Sequence, residues 1–165
     1  MGHGVAQVAA QAGYNVVALE SNSEALDKGD KRIEESLKKM IAKDVKKGKV
    51  TDDEGKTNFA EVMSRIVLTT DIAKAHNCDL IIEAIVENMD VKLDFYKHLA
   101  DKIKSDAIFA SNTSSLQVTC AFMYTTSSAC GWLCMVPSIY FNHITGMANV
   151  SQRPKNFVGL HFFNP

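Results

Sequence analysis

The sequence predicts an α/β fold built on a parallel sheet, and three observations predict it. Short apolar runs alternate with segments of helical periodicity. The runs are apolar throughout rather than at every second residue, as in strands covered on both faces. The chain has 165 residues, 46% hydrophobic and 22% charged, which is enough for one domain with a real core.

The elements follow in order. Residues 2–12 place Val5, Val8, Ala9 and Ala12 on one helical face, and Gly13 follows as a C-cap. Asn15 to Leu19 reads as a short buried strand ending in Glu20. Ser21-Asn22-Ser23 offers helix N-caps. From Glu24 to Lys47, Leu26, Ile33, Leu37, Met40, Ile41 and Val45 recur at helical spacing, and Gly48 ends the run. A second helix over Asp52–Met63 makes a helical hairpin with it. Strands are predicted at Ile66–Leu68, Asp79–Ala84, Ala107–Ser111 and Phe157–His161, with an amphipathic helix over Val91–Ile103.

Composition excludes some classes of function. A net charge of -1 argues against nucleic-acid binding, which needs a basic excess. Four cysteines without paired or metal-type spacing read as free thiols in a reducing compartment, and no metal site is predicted. The start has neither a secretory signal nor an Arg- and Ser-rich leader. Between Asp106 and Arg153 there is no Asp, Glu, Lys or Arg, which sets that stretch apart from the rest of the chain.

Several residues carry candidate chemistry. Gly2-x-Gly4 opens a helix, where backbone N–H groups can hold a pyrophosphate. Glu20 ends the next strand, at the spacing of an acidic residue that takes ribose hydroxyls and repels an extra phosphate. A solvated glutamate has the same local pattern, and spacing alone does not separate the two. Glu87, Asn88 and Lys92 follow a strand, where ligands bind in open parallel sheets; a plain solvated loop is the alternative. Ser111-Asn112-Thr113-Ser114-Ser115 follow another strand, and their hydroxyls and amide suit either a cofactor or substrate oxygen, or helix capping. His161 ends an apolar strand and suits a general base, although a single histidine is more often structural.

Three blocks carry a resemblance. Ala84-Ile85-Val86-Glu87-Asn88, Phe109-Ala110-Ser111-Asn112-Thr113-Ser114-Ser115-Leu116 and Gly159-Leu160-His161-Phe162-Phe163-Asn164-Pro165 resemble, in order, the signature segments of the L-3-hydroxyacyl-CoA dehydrogenases. The resemblance covers roughly residues 1–119 and 144–165 and is nearest to the stand-alone mitochondrial form of the family. It implies a Rossmann-type doubly wound sheet with the helical hairpin, NAD as cofactor and an acyl-CoA substrate in fatty-acid β-oxidation. It further implies His161 as catalytic base and Ser114 as the hydrogen-bond donor to the substrate oxygen. By the same resemblance Glu87, Lys92, Asn112 and Asn164 line the cofactor and active site, beside the Gly2, Gly4 and Glu20 that the spacing assigns to the cofactor, and Ser36 and Lys43 on the hairpin hold CoA. A homodimer in the mitochondrial matrix, or otherwise the cytoplasm, and no membrane role complete the expectation.

The sequence also departs from the family pattern. The family's first strand and its leading Gly-x-Gly do not precede Met1-Gly2. The glutamate that orients the catalytic histidine and the C-terminal helical domain would lie past Pro165, so residues 1–165 read as a partial NAD-binding domain whose activity by itself is expected to be lost. Residues 119–144 read as an atypical insertion, since Val118-Thr119 would otherwise run almost directly into Ile144-Thr145. Translated non-coding sequence is one origin for it. A membrane segment is the rival, but Thr125, Thr126, Ser127, Ser128 and Pro137 dilute it. A non-catalytic dinucleotide-binding relative and a gene model without a stable product remain the alternatives to an enzyme.

Overall fold

The computed structural model describes residues 2–112, 141–160 and 162, with backbone only for 141–144. The chain divides into two compact units, residues 1–75 and 76–165.

The first unit runs α1 (Gly2–Gln11), β1 (Val16–Leu19), α2 (Ser23–Lys46), α3 (Asp52–Ser64) and β2 (Ile66–Thr69), then a 3-10 turn at Ile72–Ala75. β1 and β2 pair in parallel, Val16 opposite Ile66 and Leu19 opposite Thr69. The core is Ala6, Ala10, Ile33, Leu37 and Ile66, with Val16, Ala18, Phe59, Val62, Met63 and Leu68 packed against it. Small side chains at Ala6 and Ala10 let α1 lie close to the strands. Gly13 takes φ +94° directly after α1, and Gly48 takes φ +68° after α2, so both helices stop where only glycine is unstrained.

Of the three candidate caps before α2, Asn22 is the one used: its side chain accepts from the Ala25 N–H at 2.8 Å. Thr51 and Glu54 close a reciprocal capping box on α3, and these hydrogen bonds hold the Glu54 carboxyl below its ordinary range. A Cβ on Gly55 would stand 2.7 Å from Ile41 Cγ2. The glycine inside α3 is therefore what lets the two helices of the hairpin meet there.

The second unit runs β3 (Leu80–Glu83), α4 (Met89–Ala100), β4 (Ile108–Asn112), α5 (Phe141–Val150) and β5 (Phe157–Leu160). All three strands are parallel, in the order β3-β4-β5. Tyr96 of α4 is the centre of the core, 5.8 Å from the Phe109 ring and 4.9 Å from the Phe157 ring, centroid to centroid. Its hydroxyl reaches the Ala110 carbonyl at 3.4 Å. The predicted strands and helices are all present, within one to three residues at their ends. Among the described residues they fall into two parallel sheets, and β1 and β3 each have one strand neighbour.

α5 was not expected. It begins at Phe141, inside the stretch read as an insertion, and buries Met147 and Ala148. Its apolar positions, Ile144, Met147 and Ala148, stand at i, i+3 and i+4. That spacing was a legible helical signal, masked by the uncharged composition around it. The rest of the insertion, including its membrane alternative and Cys120, Cys130 and Cys134, lies outside the described residues. No described helix is long and apolar enough to cross a membrane. Cys78 is a free thiol whose partial burial pushes its pKa up, as expected of an unreactive cysteine.

Candidate functional site

In the first unit, α1 starts at Gly2 and carries no acidic side chain in its first turn. Its leading N–H groups are therefore not satisfied from within the turn by a carboxylate. A Cβ on Gly4 would meet nothing within 4 Å. Glu20 is exposed just past β1, where its N–H extends the strand pairing to the Thr69 carbonyl at 3.0 Å. His3, in the first turn of α1, has its pKa lowered by burial first; the charge of Arg32 acts the same way and that of Glu20 opposes it. A helix N-terminus with an exposed carboxylate beyond the next strand is a donor and acceptor set that fits a dinucleotide's pyrophosphate and ribose.

Ser36 and Lys43 lie two turns apart on one face of α2, and both are exposed. Arg32 and Lys39 share that face and are exposed as well. Among the described residues none of these three cations pairs with a carboxylate, whereas Lys28 and Lys38 are bridged to Glu24 and Glu34. A cavity of about 400 Å³ opens at the opposite end of α1, lined by Gln11, Met40, Asp44, Asn58 and Arg65 among others. No predicted site residue lines it.

In the second unit the C-terminal ends of the parallel strands carry a buried polar cluster. Glu83, the last residue of β3, is buried, and so is Lys92 in the first turns of α4. The Lys92 ammonium lies 3.2 Å from Glu83 Oε2 and 3.4 Å from Glu87 Oε2. Ser111 of β4 donates its hydroxyl to Glu83 Oε2 at 2.7 Å, and the Ile85 N–H donates to Glu83 Oε1 at 2.8 Å. Asn88 caps α4, accepting from the Asp90 and Val91 N–H groups. Exposed Ile85 and Val86 sit in the loop between, an apolar lip beside the charges.

Asn112, predicted to line the cofactor, is buried, and its Oδ1 accepts from the Phe162 N–H at 3.0 Å. It thereby grips the chain on the far side of His161, while Leu160 pairs with Asn112 on the near side. Lys92 lies beneath the surface, so its ammonium reaches a ligand through its two carboxylates rather than directly. His161, Ser114 and Asn164 lie outside the described residues. Among the described residues no group of His, Cys, Asp and Glu side chains could hold a metal ion.

Sequence reasoning missed Glu83, and Ser111, read as one of a hydroxyl cluster facing a ligand, instead donates to Glu83. The signal for Glu83 was an acidic residue inside the apolar run Leu80-Ile81-Ile82-Glu83-Ala84-Ile85, where a charge is costly unless it is partnered.

Comparison with known proteins accords with this geometry. The family model described as "3-hydroxyacyl-CoA dehydrogenase, NAD binding domain" matches residues 1–129. A probable 3-hydroxybutyryl-CoA dehydrogenase of Deinococcus radiodurans is 39% identical over the whole chain, which covers 47% of that protein. The human mitochondrial hydroxyacyl-coenzyme A dehydrogenase is 40% identical, again over the whole chain and 44% of its own length. The crystal structure of (S)-3-hydroxybutyryl-CoA dehydrogenase from Ralstonia eutropha matches with a TM-score of 0.73 and 31% identity, over 100% of this chain and 46% of that one. The chain thus spans a little under half the length of the relatives it matches. Matched by the family model over most of its residues, it belongs to the NAD-binding-domain family of the 3-hydroxyacyl-CoA dehydrogenases.

Proposed function

We propose that this chain supplies the cofactor half of an NAD-dependent oxidation of L-3-hydroxyacyl-CoA to 3-oxoacyl-CoA, as in fatty-acid β-oxidation. The observation that carries the reading is the gathering of Glu83, Lys92, Glu87 and Asn112 at the C-terminal ends of parallel strands. Open α/β sheets bind their ligands there. NAD, when bound, supplies the hydride acceptor. The chain's own part is to bind and orient. The α1 N-terminus takes the pyrophosphate and Glu20 the ribose hydroxyls. His161 takes the proton of the substrate's 3-hydroxyl, and Ser114 donates a hydrogen bond to the same oxygen. Asn112 accepts from the Phe162 N–H, and Asn164 is proposed as a further cofactor contact. In the full-length protein, His161→Gln should lower kcat by a hundredfold or more, the usual scale of general-base catalysis, with KM for acetoacetyl-CoA little changed. Absorbance of NADH follows the reaction, and an effect confined to KM would make the histidine structural.

Glu20 sets the choice of cofactor in this reading. Its carboxylate accepts from ribose hydroxyls and repels a 2′-phosphate. Glu20→Ala should weaken NADH binding by about tenfold, or about 1.4 kcal/mol, and narrow the preference over NADPH. Fluorescence titration with both cofactors measures this, and tighter binding of NADPH to the unsubstituted protein would contradict it.

The exposed face of α2 with Arg32, Ser36, Lys39 and Lys43 supports a contact with the phosphates of CoA. Relatives named as mitochondrial support the mitochondrial matrix as the compartment, which fractionation tests. A homodimer is proposed for the full-length protein, to be tested by sedimentation. The stretch between Thr119 and α5 is proposed as an insertion dispensable for folding. Because Phe141–His143 belong to α5, the deletion that tests this removes residues 120–140. It should leave the melting temperature unchanged or raised, and a marked drop would place the segment in the core.

A further inference from the structure

We propose that Glu83 is a positioning residue for the cofactor crevice: its buried carboxylate holds the Lys92 ammonium, and Lys92 holds the Glu87 carboxylate at the crevice mouth. The proposal deepens the function above and rests on the reading of Glu87 as a cofactor contact.

The side chains of Glu83 and Lys92 are both 0% exposed, while that of Glu87 is 39% exposed. The contacts therefore run from the core outward and end at a group that solvent and ligand can reach. Glu83 accepts from three donors: the Ile85 N–H, the Ser111 hydroxyl and the Lys92 ammonium. These come from the β3–α4 loop, β4 and α4, so one carboxylate fixes the three segments that frame Glu87. A brace of purely structural purpose is built more cheaply from apolar side chains, since desolvating an ion pair offsets much of its attraction. Keeping a fixed charge under the surface has a use when a second charge must be aimed. Glu87, as an acceptor-only carboxylate, suits a ribose hydroxyl or a carboxamide N–H of the cofactor.

The titratable groups around Lys92 are Glu83 from β3, Glu87 from the loop and Tyr96 from its own helix. Burial pushes the Tyr96 phenol far up, with the Glu83 charge acting the same way, so it stays neutral throughout the accessible range.

The test is a double-mutant cycle on NADH binding to the full chain, followed by fluorescence, with circular dichroism to confirm folding. Glu87→Gln and Glu83→Gln should each weaken NADH binding by about tenfold, within the coupling expected of one network. The double variant should bind no worse than Glu87→Gln alone. A general loosening of the fold would weaken binding in the Glu87→Gln background as well, which the expected coupling does not allow. Ser111→Ala keeps every charge and should weaken binding less, with no effect in the Glu87→Gln background. If Glu83→Gln fails to fold, this variant carries the cycle. Additive losses, or no loss from either Glu83→Gln or Ser111→Ala, would overturn the positioning role. A folded Glu87→Gln that binds NADH normally would instead overturn the reading of Glu87 on which it rests.

Discussion

Replacing Lys92 by Met should destabilise the protein by about 3 to 5 kcal/mol, the scale on which a buried pair is broken from one side. The substitution keeps most of the side-chain volume and removes the charge. Glu83 is then left buried, with the Ser111 hydroxyl and the Ile85 N–H as partners but no cation. A loss of this size is a large share of ordinary domain stability and corresponds to a fall in Tm of roughly 10 °C. Thermal unfolding by circular dichroism measures it. Combining Lys92→Met with Glu83→Gln should recover a substantial part, because the stranded charge is gone, the amide oxygen accepts from the Ile85 N–H, and the Ser111 hydroxyl can turn to accept from the amide NH2. If the double variant were as unstable as the sum of the singles, the cost would lie in packing around Lys92 rather than in its charge.

Arg153→Leu should cost about 3 kcal/mol, for a different reason. The Arg153 guanidinium donates to four backbone carbonyls: Ala100, Ser151, Ile103 and Lys104. Three of them belong to the end of α4 and the turn after it, where carbonyls have no helical partner. The positive charge suits that negative helix end and lies 4.6 Å from the centre of the Phe109 ring. Among the described residues no carboxylate pairs with it, so it acts as the cap that joins α4 to the approach of β5. Leucine would fill part of the space and leave the carbonyls short of donors. Arg153→Lys should fall between the two, since a single ammonium cannot span the same set of acceptors. Chemical denaturation at constant m-value would measure both; equal stability of Arg153→Leu and the parent would remove the capping role.

Much of the fold was legible because it is set locally. Gly13 and Gly48 end their helices through backbone freedom, which one residue type signals. Asn22 caps α2 through a bond three residues away. The strands at Val16–Leu19, Leu80–Glu83 and Phe157–Leu160 are short runs of apolar or small residues readable without their neighbours, apart from the terminal Glu83. The dinucleotide reading was legible in the same way, since Gly2, Gly4 and Glu20 are bound to a helix start and a strand end by spacing.

The sequence by itself thus determined the helices and strands other than α5, the parallel pairing of the strands, and which family the signature blocks belong to. Only the tertiary structure decided who partners whom. Ser111 meets Glu83 across 28 positions and Phe162 meets Asn112 across 50, while the guanidinium of Arg153 returns to α4 across about the same distance. No local pattern encodes such pairs, because their energy comes from burial that exists only once strands and helices are packed. A charged residue in an apolar run announces that a partner is required; the fold alone supplies it, and here it made Glu83 and Lys92 a buried pair with Glu87 at its outer end.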